Sequence, residues 1–501
     1  MRRWWWQGMA RRLSRRLVLG MTLLLLVSSL QPLHAQAPLS CGALVHPVGG
    51  PLRAPTVTPG TNLVSLGDAV YFISRDESGA GTDPRYLWRT DGTPTGTFTI
   101  TAPAIDFSPL YLFATINDKL ILRATTPTTG AELWLTDGTT QGTQLLKDMT
   151  PGPDDTTYQS SWFELDNRLF FGVYEEGKNS WWTTSGTITS TVPLTTIYPG
   201  PQPENLYLLA QNSTEAYFVS TVSTKQVTLW RLDADGFQVI KELVGDEQSS
   251  DITTISAALI QQGKLYFFAK VAGGPSGLWR SNGTAAGTRL LVAADLLFPA
   301  DQNGVSGLNA YTLLASDDET LFFFEADKPL LKLWRLDTLS DKATLVKTIR
   351  ARSEDGLYYE LFLNEAVTYD QQLYFSFWWR DNRQQFSQTE LWQSDGTEAG
   401  TRFFTNLRNG GMLAFGTPFG LFLLNNDEPA GSYVLNIPWQ QPYPTVVCNL
   451  GAHSMLYPKL FRHQDVIYVS GRNAYLGTVY LWRLDPATLQ PTNIFVPVAQ
   501  K

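Results

Sequence analysis

Short apolar runs return along this chain at a nearly constant spacing, and a tryptophan follows each run after about 12 to 18 residues, usually directly after a leucine. The tryptophans are Trp88, Trp134, Trp182, Trp230, Trp279, Trp334, Trp392 and Trp482, at intervals of 46, 48, 48, 49, 55, 58 and 90 residues. The last interval spans two units, because a ninth apolar run, Leu421-Phe422-Leu423, falls inside it and Leu435 takes the place of the missing tryptophan. The pattern therefore indicates nine repeated units.

Each unit has the composition of four strands. A first apolar stretch ends in a polar turn such as Asn117-Asp118, and the apolar run that follows is continuous, as in a strand covered on both faces. The Leu-Trp strand is third, and a turn such as Asp137-Gly138-Thr139 leads to the fourth. Four strands in about 48 residues are typical of a propeller blade. The sequence predicts an all-β protein with one closed β-propeller over residues 61–501. Eight blades with one unit degraded into a cap, or two rings of four and five blades, are the alternatives.

Composition agrees with this fold class. Hydrophobic residues make up 43% and charged residues 17%, with 40 Gly and 29 Pro. This excludes a disordered chain and favours strands joined by turns.

The N-terminus has the three parts of a secretory signal peptide. Six arginines precede an apolar run from Leu17 to Leu30, and Ala35-Gln36-Ala37 follows with small residues at cleavage-site spacing. The apolar run is shorter than the roughly 20 residues that span a bilayer, so a permanent anchor is the weaker alternative. Ser14-Arg15-Arg16-Leu17 also resembles a twin-arginine export motif. We expect a signal peptide at 1–35, an N-terminal segment at 36–60, and a secreted, periplasmic or cell-surface location.

Removal of residues 1–35 takes away six Arg and no acid, which changes the formal net charge from −8 to −14. A net acidic chain without a basic cluster argues against nucleic acid or an anionic membrane as partner. We expect a monomer that does not insert into a membrane once the signal is removed. Cys41 and Cys448 are the only cysteines, and in an exported protein they predict one disulfide. Two unpaired thiols, or a lipid-modified Cys41, are the alternatives.

Two stretches, Glu132-Leu133-Trp134-Leu135-Thr136-Asp137-Gly138-Thr139 and Glu390-Leu391-Trp392-Gln393-Ser394-Asp395-Gly396-Thr397, resemble the bacterial ELWxxDGT repeat. Looser copies begin at Trp88, Trp182 and Trp279. The copies at Trp230, Trp334 and Trp482 read Leu-Trp-Arg-Leu-Asp and are similar to blade ends of quinone-dependent dehydrogenase propellers. The resemblance covers the chain from about residue 62 onward. It implies an exported repeat protein of propeller form, without an assigned chemistry.

The repeated acids are poor candidates for catalysis. One carboxylate per blade, as at Asp91, Asp137 and Asp395, distributes the acids around a ring, whereas a general acid/base pair needs oxygens within about 10 Å. We interpret them as turn caps, similar to the Asp-boxes of sialidases. Asp233-Ala234-Asp235-Gly236 begins like a calcium loop but lacks the further oxygen ligands. No cofactor or metal site is predicted.

Arginine follows the repeat tryptophan in five units, at Arg89, Arg231, Arg280, Arg335 and Arg483. These cations could form a ring for an acidic ligand, but we expect ion pairs between blades.

A binding site is predicted where copies depart from the repeat. Trp378 and Trp379 stand beside Arg380 and Arg383 in an extended loop before Trp392, and a second long loop runs from Arg75 to Arg85. Exposed aromatic side chains stack on sugar rings or anchor peptides. We therefore predict a binding or scaffold module for a protein or glycan partner. The alternative is a propeller enzyme, namely a glycoside hydrolase, lyase or quinone-dependent oxidoreductase, that uses the central channel.

Overall fold

The computed structural model describes residues 43–44, 56–57, 63–75, 85–93, 95–100, 105–175, 178–198, 206–293, 313–315, 319–327, 330–350, 360–380, 386–407, 412–427, 431–439, 445–449, 455–464, 466–473 and 479–484. The chain divides into two compact units, Met1–Ser40 and Cys41–Lys501, and every described residue belongs to the second. Within these ranges the only helix is one 3-10 turn, Leu194–Thr196.

The strands form nine antiparallel sheets, each built around one sequence unit. Blade 1 consists of β3 (Val64–Leu66), β4 (Ala69–Arg75), β5 (Arg85–Thr90) and β6 (Phe98–Ile100), and blade 2 of β7 (Asp106–Ile116), β8 (Lys119–Thr126), β9 (Gly130–Thr136) and β10 (Gln144–Lys147). Blade 3 consists of β11 (Thr157–Leu165), β12 (Arg168–Glu175), β13 (Lys178–Thr184) and β14 (Val192–Pro193), and blade 4 of β15 (Leu206–Gln211), β16 (Ala216–Ser223), β17 (Gln226–Asp233) and β18 (Gly236–Val244). Blade 5 consists of β19 (Thr254–Gln261), β20 (Lys264–Lys270), β21 (Ser276–Ser281) and β22 (Arg289–Ala293).

Blade 6 consists of β23 (Leu313–Ala315), β24 (Thr320–Asp327), β25 (Leu330–Asp337) and β26 (Lys342–Arg350). Blade 7 consists of β27 (Glu360–Tyr369), β28 (Gln372–Arg380), β29 (Phe386–Ser394) and β30 (Arg402–Leu407). Blade 8 consists of β31 (Met412–Thr417), β32 (Gly420–Asp427), β33 (Gly431–Ile437) and β34 (Thr445–Asn449). Blade 9 consists of β35 (Met455–His463), β36 (Val466–Asn473), β37 (Val479–Leu484) and the N-terminal strand β1 (Ala43–Leu44).

The nine blades form one closed propeller, which confirms the count of nine and shows that both alternatives, eight blades plus a cap and two smaller rings, are wrong. Nine hydrophobic clusters pack between neighbouring blades, one at each junction. The cluster that closes the ring joins Val70, Phe72 and Trp88 of blade 1 to Tyr468 of blade 9.

Closure also uses the N-terminal segment. Strand β1 pairs with β37, with Ala43 opposite Arg483, and thereby supplies the fourth strand of blade 9. Strand β2 (Thr56–Val57) pairs with the end of β4 in blade 1. The segment that the sequence placed before the propeller thus contributes strands to its last and first blades.

The second strand of each blade is covered on both faces, as the continuous apolar runs predicted. In β20, Leu265 and Phe267 face blade 4, whereas Tyr266 and Phe268 face blade 6. The repeat Leu-Trp pair divides in the same way, since Leu333 contacts the cluster shared with blade 7 and Trp334 the one shared with blade 5. The seven repeat tryptophans whose side chains are described all pack between blades.

Neighbouring first strands contact each other, for example β15 with β19 and β27 with β31, so the first strands surround the centre of the ring. Asn117 and Asp118 connect β7 to β8 at φ values of 50° and 55°, and Asp166 and Asn167 connect β11 to β12 at 48° and 54°. Asn and Asp tolerate this left-handed conformation, which two-residue hairpin turns require. We call the side with these turns the front face, and the side with the second-to-third-strand turns the back face.

Candidate binding site

The repeat aspartates are turn caps, as the sequence predicted. In blade 2, Asp137 Oδ1 accepts hydrogen bonds from the Thr139 amide (2.9 Å) and hydroxyl (2.7 Å), and Thr139 Oγ1 in turn accepts from the Gly142 amide (2.9 Å). Thr136 Oγ1 lies 2.7 Å from Thr143 Oγ1 and closes the turn. These bonds, led by the one from the Thr139 hydroxyl, hold the pKa of Asp137 below its usual value. The carboxylate is therefore ionised and engaged within its own turn.

The same network recurs in other blades. Asp91 and Asp395 accept from Thr93 and Thr397 at nearly identical distances, and Asn282 plays the same part in blade 5. In blade 3 the acid is replaced by Ser185, and Ser190 closes the turn instead. Asp485, which follows Trp482 as the corresponding acid of the last unit, lies outside the described residues. A repeated carboxylate is thus a local device for shaping a turn.

The turn also packs closely against the preceding blade. Gly138 has φ +90°, and a Cβ there would overlap the Tyr71 hydroxyl of blade 1. Gly396 likewise lies against Arg335 and Phe322 of blade 6. A glycine in this turn therefore serves both the left-handed backbone and the close approach of the neighbouring blade.

The arginines that follow the repeat tryptophans make structural contacts, some within a blade and some between blades. Arg231 pairs with Glu215 (2.8 Å) and Asp233 (3.1 Å) of its own blade. The Asp233 carboxylate, considered above as the start of a calcium loop, is thus paired with Arg231 and caps the Asp235 amide at 2.9 Å. Arg280 of blade 5, by contrast, pairs with Asp341 of blade 6.

Asp341 binds three cations across this junction. Besides Arg280, Arg289 Nη2 lies 2.9 Å and Lys264 Nζ 3.7 Å from its carboxylate oxygens, and the side chain is only 11% exposed. Asp341 was not found from the sequence, since its partners precede it by 52 to 77 residues and no spacing rule connects them.

The first acid of the closest repeat copies is buried. Glu132 is fully buried and accepts hydrogen bonds from Thr156 Oγ1 (2.5 Å), Tyr158 OH (3.1 Å) and the Met149 amide (3.1 Å). Burial raises the pKa of Glu132 above its usual value, against the opposing effect of these bonds. In blade 7, Glu390 accepts from Trp392 Nε1 at 2.8 Å. Glu132 therefore joins blade 2 to the first strand of blade 3, whereas Glu390 bonds within blade 7.

The predicted binding residues lie in blade 7, but in a strand rather than in a loop. Trp378, Trp379 and Arg380 are the last three residues of β28, opposite Phe362, Leu361 and Glu360 of β27. The ladder with β29 also continues to this end, with Arg380 opposite Phe386. Arg383 lies outside the described residues, as do residues 76–84 of the second long loop, and nothing is described of the Trp378, Trp379 and Arg380 side chains. The expectation of a loop was wrong for residues 378–380 because β-pairing extends further in this blade.

Equivalent positions show what this end of the second strand offers. In the blades that have a repeat tryptophan, one residue of the second strand lies opposite it, such as Phe375 opposite Trp392 and Phe171 opposite Trp182. Trp378 lies three residues beyond Phe375, and its equivalent in blade 3, Tyr174, is 50% exposed. Trp379 lies four beyond, and its equivalents differ, because Val222 in blade 4 is 64% exposed whereas Val271 in blade 5 is 7% exposed. The tryptophan pair therefore occupies the back-face rim of the ring.

Several expectations fall on residues that the structure does not describe. Cys41 is one of them, and Cys448 is described only by its backbone, in the outermost strand of blade 8 opposite Val434. The disulfide therefore stays a prediction. Of the four histidines in the sequence, only His463 is described, with Nδ1 at 2.7 Å from Ser65 Oγ across the closing junction.

Within the described ranges, no three His, Cys, Asp or Glu side chains are grouped as metal ligands would be. In the same part of the chain, no helix combines the length and apolar character that crossing a membrane requires.

Comparison with known proteins assigns no family to this chain. No family model matches the sequence, and no curated protein matches it. A prolyl endopeptidase structure aligns at 12% identity over 71% of this chain and 52% of its own, with a TM-score of 0.37. The propeller domain of the Trilobed protease from Pyrococcus furiosus aligns at 8% identity over 66% and 95% (TM-score 0.35), and an oligogalacturonate lyase with manganese at 12% over 85% and 98% (TM-score 0.35). This chain thus spans about half the length of the prolyl endopeptidase.

Proposed function

We propose that this chain is an exported binding or scaffold module that takes a protein or glycan partner on the back-face rim of blade 7. The observation that supports this most is the register of β28. It puts the backbone of Trp378 and Trp379 at the back-face end of the strand, where exposure differs between blades, since Tyr174 and Val222 are half or more exposed whereas Val271 is buried. Tryptophan and arginine are residue types that suit a sugar ring or a peptide anchor, because an indole ring has a large apolar face and arginine carries a permanent charge.

The second line of support is the role of the acids. The described repeat carboxylates are engaged in turns, and the buried ones in hydrogen bonds or ion pairs. A ring held in this way is a rigid frame that displays its irregular positions, and rigidity limits the entropy lost on binding.

The experiment is capture of partners by immobilised protein from cell-surface extracts, together with binding to an array of defined oligosaccharides. The test variant is Trp379→Ala with Arg380→Ala, and the matched control is Tyr174→Ala at the equivalent rim position of blade 3. We expect the test variant to lose capture while its melting temperature stays within a few degrees, and the control to bind as the unmodified protein does. Retained capture with a collapse in stability would show that the pair belongs to the core.

The enzyme alternative is tested with the same preparation. Turnover of glycosides, polyuronates, or alcohols with added quinone, at a rate that scales with protein concentration, would replace the binding proposal. Export is tested separately, by N-terminal sequencing of the protein recovered outside the cytoplasm, where a start near residue 36 is expected.

A further inference from the structure

A second surface on the back face joins blades 4 and 5, and we call it the junction pad. It consists of the blade 4 turn at 223–226, the link at 245–253 and the blade 5 turn at 271–275. The Gly245 amide donates to Lys225 O (2.8 Å) and the Thr253 amide to Thr224 O (2.9 Å), while the Asp246 amide donates to Ala272 O (2.7 Å). The link is thus hydrogen-bonded to both blades and presents a fixed surface.

The two lysines of the pad form hydrogen bonds and an ion pair within the pad itself. Lys225 Nζ donates to Ser249 O at 2.6 Å and to Asp251 O, and Lys270 pairs with Asp251 at 3.1 Å. Both lysines are only partly exposed. Their charges are therefore used within the pad.

Four large apolar side chains remain exposed around the pad, namely Tyr207 (59%), Val222 (64%), Val244 (57%) and Ile252 (55%). Val222 precedes Ser223, which pairs with Gln226, and Gln226 pairs on its other side with Val244. Tyr207 lies near the start of β15, the first strand of blade 4. Ile252 lies at the end of the link, two residues before β19, the first strand of blade 5. These two first strands contact each other. The apolar side chains thus run from the centre of the ring to its outer edge.

Carboxylates border the outer part of this strip. Glu242, Asp246 and Glu247 are exposed, whereas the lysines are partly buried and engaged. We propose that the junction pad is a docking surface for a protein segment that carries Lys or Arg beside apolar side chains. Charge complementarity selects this partner, because opposite charge across an interface speeds association and excludes acidic segments. The exposed apolar strip provides the contact area.

The pad is built from blades 4 and 5 and the proposed tryptophan site from blade 7, so each can fail without the other. The probe is a dye-labelled 12-residue peptide of alternating Leu and Lys, compared with Leu/Gln and Leu/Glu peptides of the same length. Binding is measured by fluorescence anisotropy at low and physiological salt.

The test variant combines Tyr207→Ser, Val222→Ser and Ile252→Ser. Its matched control combines Ile188→Ser and Leu339→Ser, which are 60% and 62% exposed in front-face turns. We expect the Leu/Lys peptide to bind the test variant at least about tenfold more weakly and the control unchanged. The double variant Asp246→Asn with Glu247→Gln is expected to bind the Leu/Lys peptide more weakly, and its binding should depend less on salt concentration. The proposal is overturned if the Leu/Lys peptide does not bind the unmodified protein, if the control loses as much affinity as the test variant, or if the Leu/Gln peptide binds equally well.

Discussion

Gly138→Ala tests the way the blades are fastened together. The backbone at Gly138 has φ +90°, and a methyl group there would meet the Tyr71 hydroxyl of the preceding blade. A non-glycine residue in a sparsely populated backbone region costs about 1–3 kcal/mol. Overpacking against a buried neighbour costs a further 1–3 kcal/mol or so. We therefore expect a loss of about 2–6 kcal/mol in the free energy of unfolding.

Gly152→Ala separates the two contributions. Gly152 has φ +109°, and a Cβ there would meet nothing within 4 Å, so only the backbone cost remains. Tyr71→Phe removes the hydroxyl but leaves the ring carbon Cζ 3.1 Å from the added Cβ, so in that background Gly138→Ala should cost less than in the unmodified protein and somewhat more than Gly152→Ala. Urea denaturation monitored by circular dichroism gives the free energies of unfolding of the unmodified protein and the four variants. Equal losses for Gly138→Ala and Gly152→Ala, with a coupling to Tyr71→Phe below about 0.5 kcal/mol, would refute the reasoning.

Three further predictions concern charge and covalent closure. Asp341→Asn leaves three cations without their carboxylate and should cost about 3 kcal/mol in urea denaturation, whereas Asp68→Asn, whose side chain is 85% exposed in its pair, should cost at most about 1 kcal/mol. Because burial raises the pKa of Glu132, the folded state holds that proton more strongly than the unfolded chain. Its stabilising contribution should therefore decline as pH rises above the ordinary Glu pKa of about 4.3. The stability of Glu132→Gln relative to the unmodified protein, measured from pH 4 to 7, should rise along that range, and a flat difference would contradict the raised pKa. Cys41 and Cys448 should resist alkylation until a reductant is added, as read by intact mass, and alkylation of both without reductant would contradict the disulfide.

Much of the fold could be read from the sequence because propeller blades are local. In eight of the nine blades all four strands come from one stretch of about 48 residues, so the apolar runs, the Leu-Trp pairs and the Asp-Gly turns report directly on one sheet. The role of Asp137 was predictable for the same reason, since its hydrogen-bond partner Thr139 is two residues away.

Contacts between distant parts of the chain were decided only by the tertiary structure. Ring closure brings Ala43 opposite Arg483, and the Asp341 cluster joins residues on two blades. The extension of β28 through Trp378 to Arg380 depends on its pairing with β27 and β29. The composition of a long insertion does not reveal that pairing. Repetition in the sequence specifies what each blade is, because its partners are near in the chain. Where the ring closes, and which side chains its rim exposes, depends on how nine blades pack, and no single repeat encodes that packing.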